Sequence, residues 1–152
     1  EGMDMHSNLK SDCNSLYPLV KALIDANIKI TALRDATRGG VSAVLNEWAK
    51  QSNICIEVEE ENIPVSDEVK GICEMLGFEA TNLANEGTFV LAISKDDAAK
   101  AIEVLHTFPE ASNASIIGKV TAQYPQKVIL NSSWGTKRFL DTPTGELLPR
   151  IC

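Results

Sequence analysis

Residues 28–51 place three kinds of segment in immediate succession, and this order restricts the fold more than any other feature of the sequence. Residues 28–33 alternate and carry β-branched side chains, which predicts a strand. Residues 34–40, Arg-Asp-Ala-Thr-Arg-Gly-Gly, are typical of a short loop. Val41, Val44, Leu45 and Trp48 then recur at helical spacing, which predicts a helix to about residue 51. A strand, a glycine-containing loop and a helix in this order indicate a domain with both element types.

The rest of the chain continues the alternation of helix and strand. Ser66 is a good helix cap and Gly77 a good helix stop, so a helix is predicted between them. The continuous apolar run at residues 89–93 predicts a central strand that is buried on both faces. The other predicted elements are helices at 15–26 and from Asp96 onward, and strands at 54–58, 115–120, 127–130 and 137–140. The sequence therefore predicts one α/β (α+β) domain, with a mixed β-sheet packed against about four helices.

Three regions are predicted along the 152 residues. Residues 1–14 are polar and irregular, residues 15–141 form the domain, and residues 142–152 form an extended tail because Pro149 disfavours helix there. The net charge of −7 and the lack of a basic stripe argue against nucleic-acid binding. No apolar run is long enough to span a membrane, and no secretory signal is present.

The four cysteines form no metal-binding pattern. None lies in a C-x-x-C pair, and His6 and His106 are isolated, so no metal site is predicted. Cys55 and Cys73 are expected to be buried, reduced thiols, so a cytoplasmic location is expected.

Two internal segments carry candidate functional residues, and each has a simpler structural interpretation. Residues 34–40 place Asp35, Thr37, Arg38 and two glycine amides before a helix, which suits an anion or a phosphate. The alternative is an ordinary turn in which Asp35 or Thr37 caps the helix. In residues 81–87, Glu86 beside a glycine is a candidate base; the alternative is a turn glutamate in water.

The sequence ends in Leu-Pro-Arg-Ile-Cys, with Cys152 as the last residue. A terminal thiol is poorly placed for a structural role and well placed for one that must move between sites. The alternative is that its position is accidental. The α-carboxylate of Cys152 opposes formation of the thiolate, whereas the charge of Arg150 favours it.

Three motifs together resemble one family. The loop Arg34–Gly40, the segment Asn82–Gly87 and the ending Gly145–Cys152 occur in the order and approximate spacing of the HypE family of hydrogenase expression/formation proteins. The resemblance extends from about Leu9 onward but covers only the C-terminal domain of that family. The family is grouped with aminoimidazole-ribonucleotide synthetase, selenophosphate synthetase and thiamine-monophosphate kinase. The C-terminal domain of these enzymes is a mixed sheet with helices.

The resemblance implies an activity centred on Cys152. A carbamoyl group placed on its thiol is dehydrated with ATP to a thiocyanate, and the cyanide passes to the iron of a nickel–iron hydrogenase. Glu86 is implied as the base or amide-positioning group. Residues Asp35, Thr37, Arg38, Gly39, Gly40, Asn82 and Asn85 are implied to position nucleotide or tail, with Pro149, Arg150 and Ile151 forming the tail beside Cys152.

The resemblance also implies partners and a missing part. A HypF-like carbamoyltransferase is expected to load the thiol, a HypC–HypD complex to accept the cyanide, and the full-length protein to form a homodimer. ATP and Mg²⁺ are expected to be held mostly by an N-terminal domain absent from this sequence, so this part alone is expected to bind no cofactor and to be inactive. Thr88 departs from the lysine that many relatives carry. The alternatives left open are a non-catalytic adaptor whose tail is a docking peptide, and another synthetase of the same group.

Overall fold

The computed structural model describes residues 15–142. The predicted irregular segment 1–14 and the tail residues Pro149, Arg150, Ile151 and Cys152 lie outside the described residues.

Four α-helices lie close to their predicted positions: α1 Tyr17–Asp25, α2 Gly40–Ser52, α3 Asp67–Leu76 and α4 Lys95–Leu105. Helix α3 begins and ends as predicted. The Ser66 hydroxyl accepts a hydrogen bond from the Val69 N–H at 3.3 Å, and Gly77 ends the helix in the left-handed conformation. Ser94 caps α4 in the same way, with the Asp97 N–H as donor. Among the described residues no helix has both the length and the apolar character needed to cross a membrane.

Six strands complete the fold: β1 Ile30–Ala36, β2 Cys55–Glu59, β3 Asn85–Ile93, β4 Gly118–Thr121, β5 Lys127–Asn131 and β6 Lys137–Phe139. They form two sheets. One is the antiparallel pair β1–β3, and the other has the order β4-β2-β5-β6. Strands β2 and β5 are parallel whereas the other pairs of the larger sheet are antiparallel, so this sheet is mixed. The predicted fold class is confirmed, with the strands divided between two sheets.

Strand β3 differs from its prediction. It begins at Asn85, four residues before the predicted apolar run, and within the described residues it pairs only with β1. Only Val90 of this strand is buried, and the other apolar side chains of the run are partly exposed. The prediction of a central strand buried on both faces is therefore wrong, because a continuous apolar run does not specify how many strands flank it.

Helix α2 lies between the two sheets and organises the core. One apolar cluster joins α2 to the mixed sheet and to Val90 of β3, and it includes Val44, Leu45, Ala49, Val58 and Leu130. A second cluster joins α1 and α4 to β1 and β3, and it includes Leu19, Leu23, Ala101 and Leu105. Because α2 packs on both sheets, its N-terminal end is held in a fixed position relative to both.

Candidate functional site

The predicted loop 34–40 is shorter than expected, because β1 continues through Arg34, Asp35 and Ala36. Helix α2 has Gly39 at its N-cap, with a left-handed φ of 68°, and no side chain caps it. Gly40 also has a positive φ, of 64°. The alternative in which Asp35 or Thr37 caps α2 is wrong. Two successive left-handed residues turn the chain immediately before the helix, and glycine adopts that conformation at little cost.

Gly40 brings the start of α2 against the backbone of residues 81–83. A Cβ atom at Gly40 would overlap the carbonyl oxygen of Thr81 and would lie 2.6 Å from that of Leu83. Only glycine fits such an approach. This close contact joins the predicted anion-binding segment to the predicted base-carrying segment. Since carbonyl oxygens stand beside Gly40, part of the helix N-terminus packs against backbone and is not open to a ligand.

Ser42 fastens the same two segments through a side-chain hydrogen bond. Its hydroxyl donates to Oδ1 of Asn82 at 2.5 Å, and Ser42 is completely buried. The distance lies in the range of an O–H···O bond and below that of an N–H···O bond, so the amide oxygen of Asn82 faces Ser42. Asn46, one turn further along α2, donates to the carbonyl oxygens of Ser42 and Leu140 at 2.9 and 2.8 Å.

A bulge in β3 presents Glu86. Asp35 is paired with Phe89, whereas the next residue of β1, Ala36, is paired with Asn85. Residues 86–88 therefore form a bulge opposite the peptide bond between Asp35 and Ala36. The Asn85 side chain accepts a hydrogen bond from the Gly87 N–H at 3.0 Å and so holds the bulge. Bulges re-aim side chains and are frequent beside active sites. Asn85 thus supports the position of Glu86.

The predicted site residues within the described part differ in exposure. Asp35, Arg38 and Glu86 are exposed, whereas Thr37, Asn82 and Asn85 are partly buried.

Arg34 forms an ion pair with Glu47 of α2 at 3.0 Å, and both partners are well exposed. An exposed pair of this kind contributes about 1 kcal/mol or less, so its main effect is to orient the end of β1.

The described part of the chain ends beside the C-terminal end of α2, opposite the Gly40 end. The carbonyl of Leu140 lies at Asn46, and the Lys50 amine donates to the Thr142 hydroxyl at 3.4 Å. Lys50 and Gly40 are about 15 Å apart along the helix axis at ~1.5 Å per residue. Residues 143–152 span up to about 33 Å when extended, so their length is sufficient for Cys152 to reach the Gly40 end of α2.

Within residues 15–142 no group of three or more His, Cys, Asp or Glu side chains is arranged to hold a metal ion. Cys55 and Cys73 are free and buried, as predicted. Burial raises the pKa of the Cys73 thiol, which keeps it protonated and unreactive at neutral pH.

Sequence reasoning missed Ser42 and Asn46. The signal was present, because residues 42, 46 and 49 are spaced to lie along one helix face and residue 49 is alanine. Two polar residues on a buried stripe require partners. Here these are the Asn82 side chain, the carbonyl group of Leu140 and the carbonyl group of Ser42 in the same helix.

Residues 5–131 match the model of the family described as AIR synthase related protein, C-terminal domain. The match covers most of the sequence, and the chain belongs to this family.

More specific similarity is to HypE proteins, as the three motifs predicted. The carbamoyl dehydratase HypE of Escherichia coli is 43% identical over 152 residues, which is 100% of this chain and 44% of the relative. A crystal structure of the E. coli protein superposes with a TM-score of 0.89 over 98% of this chain and 45% of that one. A HypE structure in complex with ATP is 34% identical with a TM-score of 0.89, over 99% of this chain and 46% of that one.

A further similar structure is a HypE–HypF complex, with 37% identity and a TM-score of 0.85 over 93% of this chain and 46% of that one. The chain thus spans slightly less than half the length of the relatives that it matches.

Proposed function

We propose that this chain is the C-terminal part of an ATP-dependent carbamoyl dehydratase that supplies cyanide during maturation of nickel–iron hydrogenases. In this proposal residues 1–14 follow an N-terminal ATP-binding domain, residues 15–141 form the second domain, and residues 142–152 form the tail that carries Cys152. The similarity to HypE proteins along the whole chain supports the assignment.

One structural observation carries the proposal. The segment that contains Asp35, Thr37 and Arg38 and the bulge that contains Glu86 meet at one end of α2. The tail departs near the other end of the same helix and is long enough to return. A group carried on Cys152 can therefore be presented to both segments.

The reaction requires loss of an oxygen that is a poor leaving group. Transfer of the terminal phosphoryl group of ATP to the oxygen of S-carboxamide gives an S-bound imidate phosphate and ADP, with release of a proton from nitrogen. Loss of phosphate, together with the remaining N–H proton, leaves the thiocyanate on Cys152. Glu86 is assigned as the base that takes a proton from the amide nitrogen, since its bulge exposes the carboxylate at the site.

The other predicted residues are assigned to positioning. Arg38 and the amide of Gly39 border the phosphates, and Asp35 and Thr37 orient nucleotide or tail. Gly40 holds the start of α2 against residues 81–83. Asn82 and Asn85 hold the segment that carries Glu86. Pro149, Arg150 and Ile151 deliver the thiol.

The nucleotide and metal requirements are divided between two domains in this proposal. A similar HypE has been solved in complex with ATP, which supports ATP as the co-substrate. Mg²⁺ would neutralise the phosphates during transfer. The described residues contain no group of three or more His, Cys, Asp or Glu side chains arranged to hold a metal ion, so most metal ligands are assigned to the N-terminal domain.

A HypF-type carbamoyltransferase is proposed to load Cys152, supported by the HypE–HypF complex of a similar chain. A HypC–HypD complex is proposed as the acceptor of cyanide, and the full-length protein as a homodimer. The buried, unpaired thiols Cys55 and Cys73 fit a cytoplasmic protein.

The role of Glu86 is tested in the full-length protein with Glu86→Gln, and Glu103→Gln on the exposed face of α4 is the matched control. Glu86→Gln should accept the carbamoyl group normally and dehydrate it about a hundredfold more slowly or worse, because the amide cannot take up a proton. Mass spectrometry of the tail peptide distinguishes the carbamoyl from the cyano adduct. Conversion by Glu86→Gln at the rate of the control would refute the role of Glu86.

A further inference from the structure

The hairpin formed by β5 and β6 carries an unusual surface. Trp134 at its tip is 91% exposed, the largest exposed fraction among the exposed apolar residues of the described part. Phe139 at the end of β6 is 50% exposed and packs edge-on against Tyr124, which is itself 52% exposed. Exposed aromatic side chains of this size are costly in water and are enriched at the centres of protein interfaces.

The tip that presents Trp134 is held by several hydrogen bonds. The Ser132 N–H donates to the carbonyl of Thr136 at 2.8 Å, and the Gly135 N–H donates to the carbonyl of Ser132 at 3.0 Å. The Ser132 and Thr136 hydroxyls are 2.6 Å apart. The Ser133 N–H donates to the Glu60 carboxylate at 3.2 Å, which ties the tip to the end of β2. The backbone below Trp134 is ordered before any partner binds, so docking loses little conformational entropy.

The charge of the hairpin is opposite to that of the whole chain. The net charge is −7, yet residues 127–139 contain no Asp or Glu and include Lys127, Lys137 and Arg138. Arg138 is paired with Glu79, and the Lys127 amine lies 5.6 Å from the ring centre of Phe139. Glu59 and Glu60 accept hydrogen bonds from Asn131 and Ser133 at the tip. Among the described residues, Lys127 and Lys137 are the cations of the hairpin without an ion-pair partner, so the hairpin fits a partner with acidic groups facing these two lysines.

The hairpin also leads directly into the tail. Strand β6 ends at Phe139, and the described chain ends at Thr142. Residues 134–142 span at most about 27 Å when extended, and residues 143–152 up to about 33 Å. A protein seated on Trp134 therefore lies within reach of Cys152.

We propose that the β5–β6 hairpin, with Trp134 as its anchor, is the docking surface for the protein that loads the carbamoyl group onto Cys152. This inference rests on the proposed function and adds the place where that partner binds. Arg138 of the hairpin is paired with Glu79, which lies just before the residues that pack on Gly40. The thiol can be loaded at the partner and then presented to the Glu86 bulge for dehydration.

The test uses Trp134→Ala in the full-length protein, with Tyr17→Ala as the matched control, since Tyr17 is a 71% exposed aromatic residue on α1. Binding to purified HypF-type carbamoyltransferase is measured by calorimetry. Trp134→Ala should weaken the Kd by about tenfold or more, as truncation of an anchoring tryptophan does, while Tyr17→Ala should leave it unchanged. Lys137→Glu should also weaken binding, whereas Lys95→Glu on α4 should not.

A second measurement separates docking from chemistry. Trp134→Ala protein that already carries the carbamoyl group should be dehydrated at the wild-type rate. The proposal would be overturned if Trp134→Ala bound the carbamoyltransferase with wild-type affinity. It would also be overturned if the substitution changed only the self-association of the protein. If the wild-type protein binds the partner through Trp134 but Cys152 is never carbamoylated, the proposed function fails while the docking surface stands.

Discussion

The hydroxyl of Ser42 and the amide oxygen of Asn82, 40 residues apart in the chain, meet at 2.5 Å in the interior of the domain. This bond joins the first turn of α2 to the segment that leads into the Glu86 bulge. It holds the two halves of the candidate site together at a point that no bound ligand needs to touch.

Ser42→Ala should lower the free energy of unfolding by about 1–2 kcal/mol, because the amide oxygen of Asn82 loses its donor in a site that water reaches poorly. Urea titration followed by circular dichroism measures the change. Ser52→Ala, at the exposed end of the same helix, is the control and should change stability by less than about 0.5 kcal/mol. Equal stability of the two variants would show that the bond contributes nothing.

Gly40→Ala should destabilise the fold by about 3 kcal/mol or more, because the new methyl group overlaps the carbonyl oxygens of Thr81 and Leu83 at a positive φ. Gly77 also has a positive φ but faces open space, so Gly77→Ala should cost only about 1–2 kcal/mol of backbone strain. Gly71 lies inside α3 with open space around it, and Gly71→Ala should stabilise by up to about 1 kcal/mol. Thermal melts of the three variants should follow this order; a Gly40→Ala protein as stable as Gly77→Ala would exclude the close approach.

Protonation of Glu68 at acidic pH should lower the stability that this residue contributes at the start of α3. Its own backbone N–H and the Ser66 hydroxyl hold the pKa of Glu68 below its usual value of 4.5. A carboxyl group with a lowered pKa in the folded state stabilises the protein above its unfolded-state pKa, and that stabilisation is lost as pH falls through the folded-state value. The stability difference between wild type and Glu68→Gln should therefore be largest at neutral pH and shrink below about pH 4.5. A difference that grows on acidification would reverse the assigned sign.

Thiol reagents should distinguish the cysteines of the native protein. Cys55 is completely buried, and Cys73 is buried with a raised pKa, so both should react only when the domain opens. On the proposed tail, Cys152 should be alkylated at neutral pH at least about tenfold faster than either, since its access does not require unfolding. Peptide mapping after a short pulse of iodoacetamide gives the three rates. Protection of Cys152 equal to that of Cys55 would argue against a thiol that travels.

Local features were predictable from sequence because local chemistry determines them. Ser66 and Gly77 bound α3 as expected, since a cap and a left-handed stop act within one turn. The start of α2 was not predictable from sequence. The choice between a side-chain cap and a glycine turn depends on the approach of residues 81–83, which are far away in the sequence. The Glu86 bulge was missed for a similar reason. Strand pairing is a long-range property, and the apolar run 89–93 gives no information on where the register with its partner strand shifts.

The candidate site was recognised from its motifs and not from geometry. Residue spacing alone left residues 34–40 and 82–87 as ordinary turns, and only the resemblance placed them in one reaction. The structure brings both segments to one end of α2. Ser42, which joins α2 to Asn82, belongs to neither motif, and neither does Asn46, which joins α2 to Leu140.

The central claim concerns Cys152 and is tested most directly by mass spectrometry of the tail peptide during one turnover. The full-length protein is incubated with HypF-type carbamoyltransferase, carbamoyl phosphate and ATP, and the tail peptide is sampled over time beside Cys152→Ala. We expect a carbamoyl adduct on Cys152 that converts to a cyano adduct, with neither present in Cys152→Ala. A wild-type tail that stays unmodified, or adducts that persist in Cys152→Ala, would contradict the proposed function.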